Sequence, residues 1–193
     1  MMKNVWREIC YWSKGISVIF IVAILLQNFV AMPVTVEGSS MYPTLHHGDS
    51  VILWKFLYEP RPFDVVVFEY EPDVYHVKRL IGIPGQHIAY ENDQLYVDGV
   101  PVYEYFLEDV RRAVAESHFS WNSGVFTQDF TLQDICSING FECDVIPDGW
   151  FLVLGDPRPF TQDSRHIGLV REEQILGRAS WVTWPLRHFG NIY

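Results

Sequence analysis

Between Lys14 and Glu37 the chain carries no charged residue, and half of that segment is the run Ile16-Ser17-Val18-Ile19-Phe20-Ile21-Val22-Ala23-Ile24-Leu25-Leu26. A helix rising about 1.5 Å per residue over such a segment just matches a hydrocarbon core of roughly 30 Å. Residues 15–36 therefore read as one transmembrane anchor, with Gln27 and Asn28 toward the far interface and Pro33 ending the helix. Lys3, Arg7 and Lys14 precede the span, so the positive-inside rule puts residues 1–14 in the cytoplasm as a tail and residues 37–193 outside the cell membrane. A cleaved signal peptide shares the charged start and apolar run, but Phe29-Val30-Ala31 is a poor small-x-small cleavage site.

At 193 residues the chain has room for this anchor and one globular body. Its net charge of -10 argues against a nucleic-acid partner, because a phosphate-binding surface needs clustered Lys and Arg. Beyond the anchor come short β-type runs: Val34 to Val36, Ser50 to Trp54, Asp64 to Tyr70, His76 to Ile83, Gln86 to Tyr90 and Gln94 to Val97. Turn residues separate them at His47-Gly48-Asp49, Ile83-Pro84-Gly85, Glu91-Asn92-Asp93 and Asp98-Gly99. The pattern predicts a mainly β protein, an N-terminal transmembrane helix followed by an antiparallel, barrel-like domain. From 103 to 145 the pattern weakens, with a candidate helix at Asp109 to Ser117, and this reads as an inserted cap. Strands return at Trp150 to Leu154 and Ile175 to Trp184. Cys10 falls in the tail, while Cys136 and Cys143 are either a disulfide or two buried thiols.

Two residues in this pattern point to chemistry. Ser40 lies in Gly38-Ser39-Ser40-Met41-Tyr42-Pro43-Thr44-Leu45, directly after the anchor, and Lys78 lies 38 positions later on a predicted strand. A serine hydroxyl needs a neighbouring base to become a nucleophile, and a lysine serves only when its charge is suppressed. On a strand Val74, His76, Lys78 and Leu80 share a face, so an inward face desolvates Lys78. The alternative is a solvated strand lysine, which burial statistics favour when nothing else is known.

Four ordered blocks resemble the type I signal peptidases, in particular the short single-span form of Gram-positive bacteria. They are the serine block above; Gly48-Asp49-Ser50-Val51 with Phe63 to Phe68; Val77-Lys78-Arg79-Leu80-Ile81-Gly82-Ile83-Pro84-Gly85; and Gly155-Asp156 through Asp163-Ser164-Arg165 to Gly168. Tyr90 to Gly99 also resembles the family's hairpin after the lysine block, and the resemblance spans nearly the whole chain except about 103–145. It implies Ser40 as nucleophile and Lys78 as general base, with Thr161 orienting the lysine and Asp163 and Arg165 as a structural ion pair beside the site. Val34, Val36, Met41, Leu45, His76 and Val77 match positions lining shallow pockets for small substrate residues. Thr161 is an allowed but weaker substitution for the hydroxyl the family uses there, and the sequence departs from the family at Pro157, where asparagine is frequent, and at His76, where an aromatic or apolar residue is common. Gly38 stands where some relatives have a serine that donates to the oxyanion, as in many Gram-positive forms.

The resemblance implies a membrane-bound serine endopeptidase with a Ser/Lys dyad that cleaves signal peptides from exported preproteins after small-x-small motifs. Its partners are then signal peptides, the lipid bilayer and the secretion translocon, with no metal or organic cofactor. Trp181, Trp184 and Phe189, with Trp54 and Phe56, are candidates to rest on the lipid interface, or else core residues. Three rival readings fit the sequence less well. A Ser-His-Asp hydrolase built from Ser40, His166 and Asp163 or Asp156 lacks the Gly-x-Ser-x-Gly elbow. A soluble Ser/Lys self-cleaving repressor would lack the anchor. A non-catalytic relative that assists assembly of surface proteins would have little reason to keep both Ser40 and Lys78, whereas a narrowly dedicated peptidase would keep both and is not distinguished by them.

Overall fold

The computed structural model describes residues 12–20, 22, 24, 30–116 and 125–192. Cys10, Lys3 and Arg7 lie outside the described residues, as does part of the predicted anchor; residues 12–20 are helical. Among the described residues no helix is long and apolar enough to cross a membrane.

The body is mainly antiparallel β-structure with few helices. Its larger sheet joins β1 (Ala31–Thr35), β2 (Ser50–Trp54), β3 (Val65–Glu71), β4 (Val74–Gly82), β9 (Trp150–Leu154), β10 (Val170–Arg171), β11 (Ile175–Trp184) and β12 (Gly190–Asn191). They run in the order β1-β2-β11-β3-β4-β9-β10, with β12 on β11. The smaller sheet joins β5 (Ile88–Glu91), β6 (Gln94–Val97), β7 (Val100–Val102) and β8 (Phe130–Thr131) in the order β7-β6-β5-β8. Three helices complete it: α1 (Leu107–Glu116), α2 (Leu132–Ile138) and α3 (Ser164–Ile167).

The first strand bears out the β-type reading of Val34 and Thr35 but begins at Ala31, ahead of Pro33, where the helix was expected to end. Ala31 to Thr35 pair with Trp54 to Ser50 instead of continuing a helix. Pro33 fits there because β1 pairs only with β2, and an edge strand has one side where a missing N–H leaves no ladder bond unmade. The hairpin turns follow their residue chemistry: Asn92 and Asp93 both have positive φ, as do Asp98 and Gly99, which is the two-residue turn that suits the right-handed twist of a hairpin.

Both faces of the larger sheet are covered. In β3 the consecutive residues Val65, Val66, Val67 and Phe68 are all buried, with Val65 and Val67 in one core cluster and Val66 and Phe68 in another. That is why this strand reads as a continuous apolar run. The first cluster holds Val36, Met41, Leu45, Val51, Leu53, Ala179 and Val182, so the segment leading from β1 toward β2 is itself core. A third cluster joins the small sheet to the 103–145 region through Ile88, Tyr90, Leu95, Val110, Phe126, Leu132 and Ile135.

The 103–145 region supplies β8, which pairs with β5, so it is stitched into the small sheet. Helix α2 starts at a capping box in which the Thr131 hydroxyl accepts from Asp134 N and Thr131 N donates to the Asp134 carboxylate. A Thr-x-x-Asp pair before an apolar run is a readable start signal that the weak periodicity masks. Cys136 and Cys143 are bridged across the end of this helix.

Candidate functional site

Strand β4 delivers Lys78 into the protein by register. Val66 stands opposite Lys78 and Phe68 opposite His76, and residues directly opposite in an antiparallel pair share a face. Lys78 is 3 % exposed. Burial is the largest influence on it and lowers its pKa to about 8, while the negative charges of Asp163 and Asp156 pull the other way. Among the described residues Lys78 has no salt-bridge partner, so nothing nearby fully restores the charge that desolvation disfavours.

The turn after β1 brings Ser40 beside this strand. The Ser40 hydroxyl donates to the carbonyl of Val77, the residue before the lysine, at 3.4 Å. An open groove of about 720 Å³ runs over both residues and is also lined by Val34, His76, Val77 and Thr161. Val36, Met41 and Leu45 do not line it: they are 4 %, 1 % and 0 % exposed and pack in the core beneath. His76 has its Nδ1 buried without a partner among the described residues, and its ring stacks on Tyr70. Burial, and then the charge of Lys78, lower its pKa, which keeps the imidazole neutral.

The loop after β9 closes the other side. Gly155 N donates to Asp163 Oδ2 at 3.1 Å, and Asp163 is fully buried. Asp163 also caps α3 and accepts from Arg165 Nε at 2.9 Å and Arg165 Nη2 at 2.7 Å. Gly155 is required for space: a Cβ there would lie 2.2 Å from Thr161 Oγ1 and 2.7 Å from the Ser40 carbonyl oxygen. Three parts of the groove therefore meet at one hydrogen atom of a glycine.

The reading of the sequence passed over the pair that holds these parts together. Arg79 and Asp156 are both fully buried and joined by two bonds, Nε to Oδ1 at 2.8 Å and Nη2 to Oδ2 at 2.7 Å. The Thr44 hydroxyl donates to the same Oδ2 at 2.5 Å, Arg79 also donates to the Phe63 carbonyl, and its guanidinium lies 4.0 Å from the Phe106 ring centre. Strand β4, the loop after Ser40, the loop after β9 and the segment entering α1 thus share one guanidinium. The signal was present, since Arg79 follows Lys78 and Asp156 follows Gly155, but their pairing at a separation of 77 residues was not.

A second buried pair works one loop further on. Arg158 donates to Glu104, which also accepts from the Tyr90 hydroxyl at 2.8 Å, and Arg158 Nε donates to the Gly155 carbonyl at 3.1 Å. The 103–145 region is therefore bonded directly to the loop that carries Thr161 and Asp163. Pro157 begins the short 3₁₀ turn Arg158–Phe160 that makes this possible. Of the rival triad, the His166 ring lies 4.0 Å from Asp163, is largely exposed and does not line the Ser40 groove.

A buried lysine and a serine on one open groove, carried by an antiparallel β-body, describe a hydrolase of peptide or ester bonds. Comparison with known proteins defines the family. Residues 9–184 match the family model for signal peptidase, peptidase S26. The chain is 35% identical over 187 residues to signal peptidase IB of Staphylococcus aureus strain COL, covering 95% of this chain and 93% of that one. It is 38% identical over 167 residues to signal peptidase I of Bacillus caldolyticus, covering 85% of each. The crystal structure of a signal peptidase I from Enterococcus faecalis V583 superposes with a TM-score of 0.53 at 34% identity, covering 64% of this chain and 98% of that chain. The chain belongs to the signal peptidase family, peptidase S26, and its activity is signal-peptide cleavage by a serine endopeptidase. Membrane association follows from that family.

Proposed function

We propose that the chain cleaves signal peptides with Ser40 as nucleophile and neutral Lys78 as its base. The Ser40 hydroxyl proton passes to Lys78 Nζ as Oγ bonds to the scissile carbonyl carbon, and the negative charge gathers on the carbonyl oxygen. The Ser40 backbone N–H, which has no acceptor among the described residues, is the nearest donor for that oxygen. The lysine ammonium then protonates the departing amine as the C–N bond breaks, leaving an acyl-enzyme and a neutral lysine. Water gives up a proton to the same lysine as its oxygen bonds to the ester carbon, and the lysine ammonium returns that proton to Ser40 Oγ as the Oγ–C bond breaks, releasing the signal peptide and restoring the free serine. The observation that carries this reading is the burial of Lys78 on the groove that holds Ser40, with its pKa lowered to about 8.

Substrate choice follows from the groove. Val34 and Val77, with His76 held neutral, give it walls that suit small side chains on either side of a variable residue, the small-x-small motif. The uncharged run Ile16 to Leu26 with its flanks anchors the chain in one pass, with the N-terminus cytoplasmic and the body extracytoplasmic, and exported preproteins meet it there as they leave the secretion translocon. Trp54, Trp181 and Trp184 support this placement: register puts all three on the outward face of β2 and β11, 44 %, 40 % and 60 % exposed, with Phe56 and Phe189 exposed nearby. Amphipathic aromatic side chains favour the membrane interface.

The test is cleavage of a membrane-presented preprotein carrying an Ala-x-Ala site, by wild type, Ser40→Ala and Lys78→Ala in detergent. Product from wild type alone supports both roles. Product from either variant at the wild-type rate removes the role from that residue.

A further inference from the structure

Away from the groove, the turn that follows the nucleophile loop meets the C-terminal end of the chain in a cluster of two imidazoles and one carboxylate. The Asp49 side chain is 2 % exposed, and its Oδ1 lies 2.7 Å from His188 Nδ1. Its Oδ2 accepts the backbone N–H of His46 at 2.8 Å and lies 3.8 Å from His46 Nδ1. The two imidazole rings face each other with centres 4.1 Å apart and planes 21° from parallel. One donor atom from each of the three residues can be chosen so that all lie within 4.8 Å of one another.

We propose that His46, Asp49 and His188 form a site for one borderline divalent transition-metal ion of the Zn²⁺ class. The donor chemistry makes the choice: two imidazole nitrogens and one carboxylate oxygen suit zinc and its neighbours, whereas Mg²⁺ and Ca²⁺ need mostly oxygen. Three protein donors leave a fourth tetrahedral position for water. A tetrahedral ion with bonds of about 2 Å sets its donors roughly 3.3 Å apart, so the cluster must close slightly and one ring must tilt out of the stack. His46 is the ring that moves, since its side chain is 37 % exposed against 22 % for His188.

Such an ion ties the 3₁₀ turn Leu186–His188, which follows the long strand β11, to the turn six residues after Ser40. His46 also meets Tyr42 edge to face, two residues from Ser40, so the link runs along the nucleophile loop without using Ser40, Lys78 or Thr161. The ion is structural, because no donor of this set lines the catalytic groove.

The experiment uses the untagged full chain in detergent, stripped with chelator, titrated with Zn²⁺ alone by calorimetry and followed by its thermal unfolding midpoint. The expected result is one Zn²⁺ per chain with a rise in Tm, no response to Mg²⁺, and at least a tenfold loss of affinity in His188→Ala and in His46→Ala. His87→Ala, an exposed imidazole elsewhere, should bind as wild type does. If His188→Ala fails to fold, His188→Gln keeps a hydrogen-bonding partner for Asp49 and serves in its place. Wild type that takes up no Zn²⁺, or a His46→Ala/His188→Ala double variant that binds it equally well, overturns the site.

Discussion

Arg165 holds Asp163 through two nearly parallel bonds of 2.9 and 2.7 Å, and so occupies one of the two carboxylates whose charge favours the protonated form of Lys78. Arg79 does the same for the other, Asp156. Each carboxylate whose charge favours the protonated lysine is thus itself paired with a guanidinium. Arg165→Gln should leave Asp163 with an unbalanced charge, raise the pKa of Lys78 and move the rise of kcat/KM to higher pH. A rate–pH profile checks this; a lowered rate with an unmoved midpoint would make Arg165 only a structural support.

Wild-type activity should itself rise with pH through about 8, because the base is competent only after losing its proton. Lys78→Arg should be inactive across that range, since a guanidinium keeps its charge. Cleavage of a preprotein from pH 6 to 10 reads both outcomes.

The same lowered pKa has a consequence for stability. Unfolded Lys78 titrates near 10.5 and the folded residue near 8, so between those values the unfolded state binds more protons and stability rises with pH. Below pH 8 the buried charge opposes folding by ~3 kcal/mol. Lys78→Met should therefore be more stable than wild type at pH 7, by an advantage that shrinks as pH climbs from 8 to 10. Urea unfolding at both ends of that window measures it, and an advantage independent of pH would refute the linkage.

Gly155→Ala should fold and cleave poorly. Its Cβ would press on Thr161 Oγ1 and the Ser40 carbonyl, and a displacement near 1 Å of a reacting group costs roughly a hundredfold in rate. Single-turnover cleavage alongside circular dichroism separates this from unfolding.

Asp156→Ala should destabilise the fold strongly, because it strands the guanidinium of Arg79 in a dry site. Removing one partner of such a pair costs about 3–5 kcal/mol. Asp156→Ala/Arg79→Met should recover part of that loss. A thermal or denaturant midpoint decides it, and a variant within 1 °C of wild type would mean that Thr44 and Phe63 alone satisfy Arg79.

Much of this was legible in the chain because it is local. Turn residues fixed the hairpins at Asn92-Asp93 and Asp98-Gly99, apolar runs placed β2, β6, β9 and β11 at their observed bounds, and spacing put Lys78 on the face of β4 with His76. Motif order marked Ser40, Lys78, Thr161, Asp163 and Arg165, of which Ser40, Lys78 and Thr161 share the groove. Which apolar residues wall the groove was not legible. Val34 and Val77 do, whereas Val36, Met41 and Leu45 do not, and only the packing of the turn after β1 distinguishes them.

What the sequence determined by itself is the set of residues and their local geometry, because hydrophobic period and turn chemistry act over a few positions. What the tertiary structure decided is every relationship between distant segments. Arg79 with Asp156, Arg158 with Glu104, and His46 with His188 are pairings between segments far apart in the chain, made by sheet order and loop packing. The lowered pKa of Lys78 belongs to that second group as well: folding removes the water around its ammonium group, and no stretch of sequence around residue 78 does that alone.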